Sequence, residues 1–197
     1  MEPIEKIRKI LKDKNGILLT SDLVENHIPR TYLSILEKNG EIQRRSRGVY
    51  FAANSIEDEM VCFQVRYKRA IYSHETALYL HELTDRTPLS YSVTVPAGYN
   101  ATSLKESGHK VFFVKRELYG LGLITIKTPH GNSVNTFDLE RTICDLLRSR
   151  NQIDIQIIND SLKRYVGLKT KNIGLLSHYA KRFRIQKIIR QTVEMLL

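Results

Sequence analysis

The sequence predicts an α+β protein of two domains. A small helical domain closed by a hairpin spans residues 1–54, and a small β-sheet flanked by helices, with a basic helical tail, spans residues 55–197. Three observations carry this. Apolar residues recur at helical spacing in the first forty positions and then switch to alternation around a turn. Short β-rich runs fill the middle of the chain, at "YSVTVPAG", "KVFFVKR" and "LITIKTP". The last third returns to helical periodicity.

Ile4, Ile7, Ile10 and Leu11 recur with Lys and Glu between them, so Pro3 to Lys14 is expected to be an amphipathic helix stopped by Asn15-Gly16. "GILLT" is too short for a helix and reads as one strand. Thr20 or Ser21 then caps a second helix that buries Leu23, Val24 and Ile28, with Asp22 and Glu25 near its positive end. Pro29 suits the first turn of a third helix. Its inward stripe is Tyr32, Leu33 and Leu36; Arg30, Thr31, Ser34 and Lys38 lie along another side. Asn39-Gly40 ends it in the left-handed conformation. "EIQRRSRGVYFA" is a hairpin with Arg44, Arg45 and Arg47 at its tip.

Helix, strand, helix, turn, helix, basic hairpin is the order of a winged helix-turn-helix. In that fold the third helix reads base edges in the major groove and the wing lies along the backbone or minor groove. The DNA-contacting set expected on this reading is Thr20, Ser21, Arg30, Thr31, Tyr32, Ser34, Lys38, Arg44, Arg45, Arg47 and Tyr50.

Beyond a hinge at "ANSIEDEM", helices are expected from Glu57 to about Arg69 and, capped by Ser73, over "HETALYLHEL". "HGNS" is a turn across which Val134 to Thr136 pair back. "FDLERTICDLLRS" is an amphipathic helix with Leu139, Ile143, Leu146 and Leu147 inward. Two or three further helices are expected over Asp154 to Val166, Asn172 to Arg182 and Ile185 to Leu196.

The 197 residues carry 31 Lys plus Arg against 21 Asp plus Glu, a net charge of +10 and a pI of about 9.6. Between Ser161 and Val193 stand nine basic residues and no acid. Among them Lys163, Arg164, Lys181, Arg182, Arg184, Lys187 and Arg190 form an auxiliary basic surface suited to a polyanion. The apolar fraction of 42% and charged fraction of 26% are those of a soluble globular protein. No apolar run approaches a membrane span, and "MEPIEKIRK" lacks the apolar segment of a secretory signal. Cys62 and Cys144 read as buried free thiols, which suits a reducing cytoplasm.

No cofactor or metal is expected. His74 and His81 stand seven residues apart on one helix, too far along the axis to share a metal. Thr125 stands two before Lys127, where a nuclease of the paired-acid type would carry an acid. "HGNS" lacks the Lys-Ser or Lys-Thr of a phosphate loop. Asp138, Glu140, Arg141 and Asp145 gather on one helix, where capping and surface charge compete with contact to a partner. No acid–base pair or activated nucleophile emerges, so the chain is not expected to be an enzyme.

Three segments, "GILLTSDLVENHIPRTYLSILEKNGEIQRRSRGVYF", "YSHETALYLHELTDRTPLSYSVTVPAGYN" and "TFDLERTICDLL", resemble the AbiEi family, antitoxins of type IV toxin–antitoxin systems in abortive phage infection. The resemblance covers about Ile4 to Leu147. It implies a winged helix that binds inverted repeats in its own promoter, self-associating on that DNA where the repeats allow. It also implies a C-terminal domain that counters a nucleotidyltransferase toxin without a stable complex. Ser73, His74, Glu75, Asp138, Glu140, Arg141 and Asp145 are the antitoxicity candidates it offers. Two other classes remain: a repressor with a ligand-sensing second domain, which needs a cavity, and a nucleic-acid-processing enzyme, which needs a reactive cluster.

Overall fold

A computed structural model describes the backbone of residues 2–196 and the side chains of residues 2–192; Met1 and Leu197, the outermost residues of the two expected domains, lie outside it. The chain is mixed α and β and divides into two compact units. The first is Met1–Lys68 together with Lys127–Val134; the second is Arg69–Ile126 together with Asn135–Leu197. The boundary therefore lies beyond the hinge expected near Asn54, and a distant loop joins the first unit.

The first unit runs α1 (Pro3–Asp13), β1 (Ile17–Leu19), α2 (Thr20–Glu25), α3 (Thr31–Lys38), β2 (Ile42–Ser46), β3 (Val49–Ala52) and α4 (Glu59–Arg66). Its sheet has the order β1-β3-β2, with Ile17 opposite Phe51 and Arg44 opposite Tyr50. Ile7, Leu11, Leu18, Leu23, Ile28, Leu33, Leu36, Ile42 and Tyr50 make one core, so the helices and the sheet bury their apolar sides together. Asn15 and Gly16 both take positive φ after α1. Gly40 at +72° ends α3, with the Glu41 amide bonded back to the Leu36 carbonyl.

Several local expectations change. Leu19, not Thr20 or Ser21, holds the N-cap position of α2, because the buried Asp22 carboxylate reaches back to the Leu19 amide at 2.9 Å and pairs with Lys14 at 2.6 Å. Pro29 precedes α3 instead of sitting in its first turn. Val24 is 59% exposed, on the outer side of a helix only six residues long.

Asp58 explains the extended boundary. One carboxylate oxygen caps α4 through the Met60 and Val61 amides; the other accepts from Thr128 and from Asn132 at 2.8 Å. Burying a carboxyl group is costly unless its oxygens are hydrogen-bonded, and here both are. Asp58 fastens residues 127–134 to the first unit.

The second unit contains β4 (Ile71–Tyr72), α5 (His74–Leu80), β5 (Ser92–Pro96), α6 (Thr102–Glu106), β6 (Lys110–Val114), α7 (Arg116–Tyr119), most of β7 (Leu123–Lys127) and β8 (Ser133–Phe137), whose Lys127, Ser133 and Val134 belong to the first unit, and α8 (Leu139–Arg148). A short 3-10 turn follows, then α9 (Ile155–Gly167), α10 (Ile173–Phe183) and α11 (Gln186–Leu196). The five-stranded sheet has the order β6-β5-β4-β8-β7; β4 is antiparallel to β5 and parallel to β8, and β5 is parallel to β6. Its main core draws on α5, α8, α9, α10 and α11. Helix α8 is buried from Glu140 to Leu147, polar residues included. No described helix is long and apolar enough to cross a membrane.

Candidate nucleic-acid interface

The exposed side of α3 is polar with one exception. Thr31, Ser34, Ile35 and Lys38 fall within an arc of about 100° at 3.6 residues per turn, and Leu33 and Leu36 lie buried on the opposite side. Arg30 is exposed at the N-cap position. Tyr32 is half-buried against the core. Bulk at Leu33 and Leu36 fixes the helix, and this leaves its other face free for a ligand.

The β2–β3 hairpin turns at Arg47-Gly48. Gly48 has φ +82°, and a Cβ there would lie 2.9 Å from Thr20 Oγ1, while the Gly48 carbonyl accepts from the Thr20 amide at 3.0 Å. The tip is thus pinned to the start of α2, and Thr20 serves as that anchor. Ser21 beside it is exposed. Arg44 and Arg47 are exposed, but Arg45, at a register shift between Arg44 and Ser46, pairs with Glu57 at 2.7 Å. Tyr50 departs from its expected role: it is 8% exposed and belongs to the core, because β3 is the central strand of its sheet and Val49, Tyr50 and Phe51 are all buried.

The auxiliary basic residues are spread over three helices of the second unit. Lys181, Arg182, Arg184 and Lys187 are exposed around the turn between α10 and α11, where Arg184 takes φ +58° as the left-handed cap. Lys163 and Arg190 are exposed on α9 and α11. Arg164 is engaged by Asp85 in a bidentate pair, which removes part of its charge from the surface.

The antitoxicity candidates mostly turn inward. Ser73, His74, Arg141 and Asp145 have no exposed surface and Glu140 is 5% exposed, so their side chains build the fold and cannot reach a partner. Ser73 occupies the N-cap position of α5 without capping; its hydroxyl accepts from Thr94 and lies 2.9 Å from His74 Nδ1. His74 also reaches Ser149 and stacks on Phe112 with centroids 3.5 Å apart. Burial, with Arg148 and Arg141 nearby, holds the His74 imidazole well below its usual 6.5.

Arg141 is clamped between the Phe137 and Phe183 rings at 4.2 and 4.3 Å. It pairs with Asp145 at 2.9 Å and donates to the Leu118 and Leu121 carbonyls. Burial raises the Asp145 pKa despite Arg141 and Arg148, and burial lowers that of Arg141. Glu140 accepts from Tyr165 and the Asn172 amide; Asp138 caps α8 and accepts from Tyr179. The i,i+4 spacing of Arg141 and Asp145 on an apolar helix was the available sign of a buried pair.

Glu75 alone of this set opens on a cavity. It pairs with Lys110 at 2.7 Å, accepts from Ser92, and lines a space of about 310 Å³ together with Leu78, Arg86, Ser90 and Ile157. His81 bonds the Phe137 carbonyl at 2.6 Å. Thr125 and Lys127 bond Asn135 and Ser133 and meet no acid there. No group of three His, Cys, Asp or Glu among the described residues could hold a metal ion. Cys62 and Cys144 are free thiols, pushed up by burial to about 11 and about 12.

No family model matches the chain, and no curated protein does. Among solved structures, the crystal structure of RV2827C protein from Mycobacterium tuberculosis is similar, with a TM-score of 0.55 and 11% identity over 89% of this chain and 69% of that chain. At that identity the likeness concerns the fold alone.

Proposed function

We propose that the chain is a DNA-binding antitoxin and autorepressor of a type IV toxin–antitoxin operon, acting in the cytoplasm without catalysis. Its first unit is read as a winged helix-turn-helix that binds inverted repeats in its own promoter as double-stranded DNA. The second unit counters a nucleotidyltransferase toxin without forming a stable complex. The observation that carries the DNA reading is the pairing, in one small unit, of an outward α3 face bearing Arg30, Thr31, Ser34 and Lys38 with a hairpin exposing Arg44 and Arg47. The antitoxin role rests on the sequence resemblance to the AbiEi family.

The test has two arms. Footprinting of the full-length protein on its own promoter is expected to protect repeated half-sites; no sequence-dependent protection removes the repressor role. Co-expression with a downstream nucleotidyltransferase gene is expected to restore growth; no such gene, or no rescue, removes the antitoxin role.

The cavity at Glu75 favours a second reading, a repressor whose second domain senses a small ligand, since about 310 Å³ falls at the lower end of ligand-site volumes. On that reading, filling the cavity with Ser90→Tyr changes repression and leaves toxin rescue with no role to lose.

A further inference from the structure

Ile35 is 44% exposed on α3, and its neighbours on the same arc are Thr31, Ser34 and Lys38. A solvent-facing β-branched residue gains nothing for the helix, since isoleucine is a weaker helix former than the lysine or glutamate common at such positions. The core side of α3 is filled by Leu33 and Leu36, and Ile35, on another side of the helix, stands outside that cluster. Four residues after Thr31 it sits about 6 Å further along the axis, one turn deeper than the side chains at the helix start.

We infer that Ile35 reads the C5-methyl group of a pyrimidine in the major groove. This rests on the DNA-binding reading above and adds the chemical feature recognised. Of the base edges in that groove, the thymine methyl is the apolar one, and apolar side chains contact it. Thr31 and Ser34, with short hydroxyl side chains, let the helix approach closely enough for an isoleucine to touch bases. Lys38 on the same arc suits a phosphate and so fixes depth without reading sequence. A cytosine methylated at C5 presents the same methyl in the same groove, so the contact also makes binding sensitive to cytosine methylation.

The experiment uses the full-length protein. A preferred duplex is recovered by selection from random DNA and resynthesised with deoxyuridine in place of each thymine in turn, which removes one methyl and leaves pairing intact. Loss of one methyl contact is expected to weaken binding about four-fold at one or two positions per half-site, the factor that follows from about 0.8 kcal/mol per buried methyl-sized group. At those positions 5-methylcytosine with its matched guanine is expected to bind more tightly than unmethylated cytosine. In Ile35→Ala the deoxyuridine effect disappears, and Ile35→Val retains most of it. If Ile35→Ala keeps the full effect, or no thymine position responds in the parent protein, the inference is overturned while DNA binding stands. If selection recovers no preferred sequence at all, the DNA-binding reading falls and takes this inference with it.

Discussion

Arg45 and Glu57 form an ion pair 2.7 Å long within the first unit, both half-exposed. Of three arginines crowded on one hairpin, one is thus already matched by a carboxylate. Exposed pairs of this kind contribute about 0–1 kcal/mol and are weakened by salt, so a phosphate could displace Glu57, but at the cost of releasing it.

The hairpin should therefore act through Arg44 and Arg47 first. Replacing both with alanine is expected to flatten the salt dependence of DNA binding by roughly two units of slope, at about 0.9 per phosphate contact. Arg45→Ala alone should do less, and Glu57→Ala should tighten binding by freeing Arg45. An unchanged slope for the double variant would take the hairpin out of the interface.

Arg30 stands exposed at the start of α3, the place from which, on the proposed DNA-binding role, side chains would reach base edges. An arginine on guanine discriminates by about 1–3 kcal/mol, so Arg30→Ala should reduce the preference for operator over random DNA. Equal loss on both substrates, measured by competition, makes Arg30 a phosphate contact only.

The cations around the α10–α11 turn should add affinity without sequence preference. Neutralising Lys181, Arg182, Arg184 and Lys187 is expected to weaken operator and random DNA about equally. Full-length protein carrying Arg30→Ala, Arg44→Ala and Arg47→Ala should lose promoter repression yet still rescue cells from the toxin. Joint loss of both activities in a folded variant argues against separable roles, and unchanged DNA affinity in the four-residue variant assigns the tail another task.

Arg141 should matter to stability alone. Arg141→Ala leaves Asp145 buried with only Arg148 at 3.3 Å, and breaking such a pair costs about 3–5 kcal/mol. Urea denaturation measures this. A loss below about 1 kcal/mol would mean the pair behaves as an exposed one.

Stability should also fall in mild acid. In the unfolded chain a histidine takes up a proton near 6.5; in the folded chain burial keeps His74 neutral well below that. Unfolding then takes up a proton, so stability is full above pH 6.5 and declines as pH drops below it. His81, also lowered by burial, adds in the same window. His74→Gln should reduce the slope of melting temperature against pH between 6.5 and 5 (the range set by these shifts); an identical slope would assign the effect to other groups.

Sequence alone determined most of the local architecture. The helical spacing of Ile7, Leu11, Leu33 and Leu36, the glycines at the ends of α1 and α3, and the alternation around Arg47-Gly48 all follow from periodicity and backbone preference, which act within a few residues. The exposed arginines and the basic tail are legible for the same reason. What tertiary structure decided depends on groups far apart in the chain. Asp138, Glu140, Arg141 and Asp145 look like a charged helix surface until Tyr165, Tyr179, Phe183 and the Leu118 and Leu121 carbonyls close over them. Tyr50 turns inward only once β3 lies between β1 and β2. Asp58 draws residues 127–134 into the first unit across some seventy positions. A buried charge must find donors wherever the fold supplies them, and no pattern within one helix can say where those are.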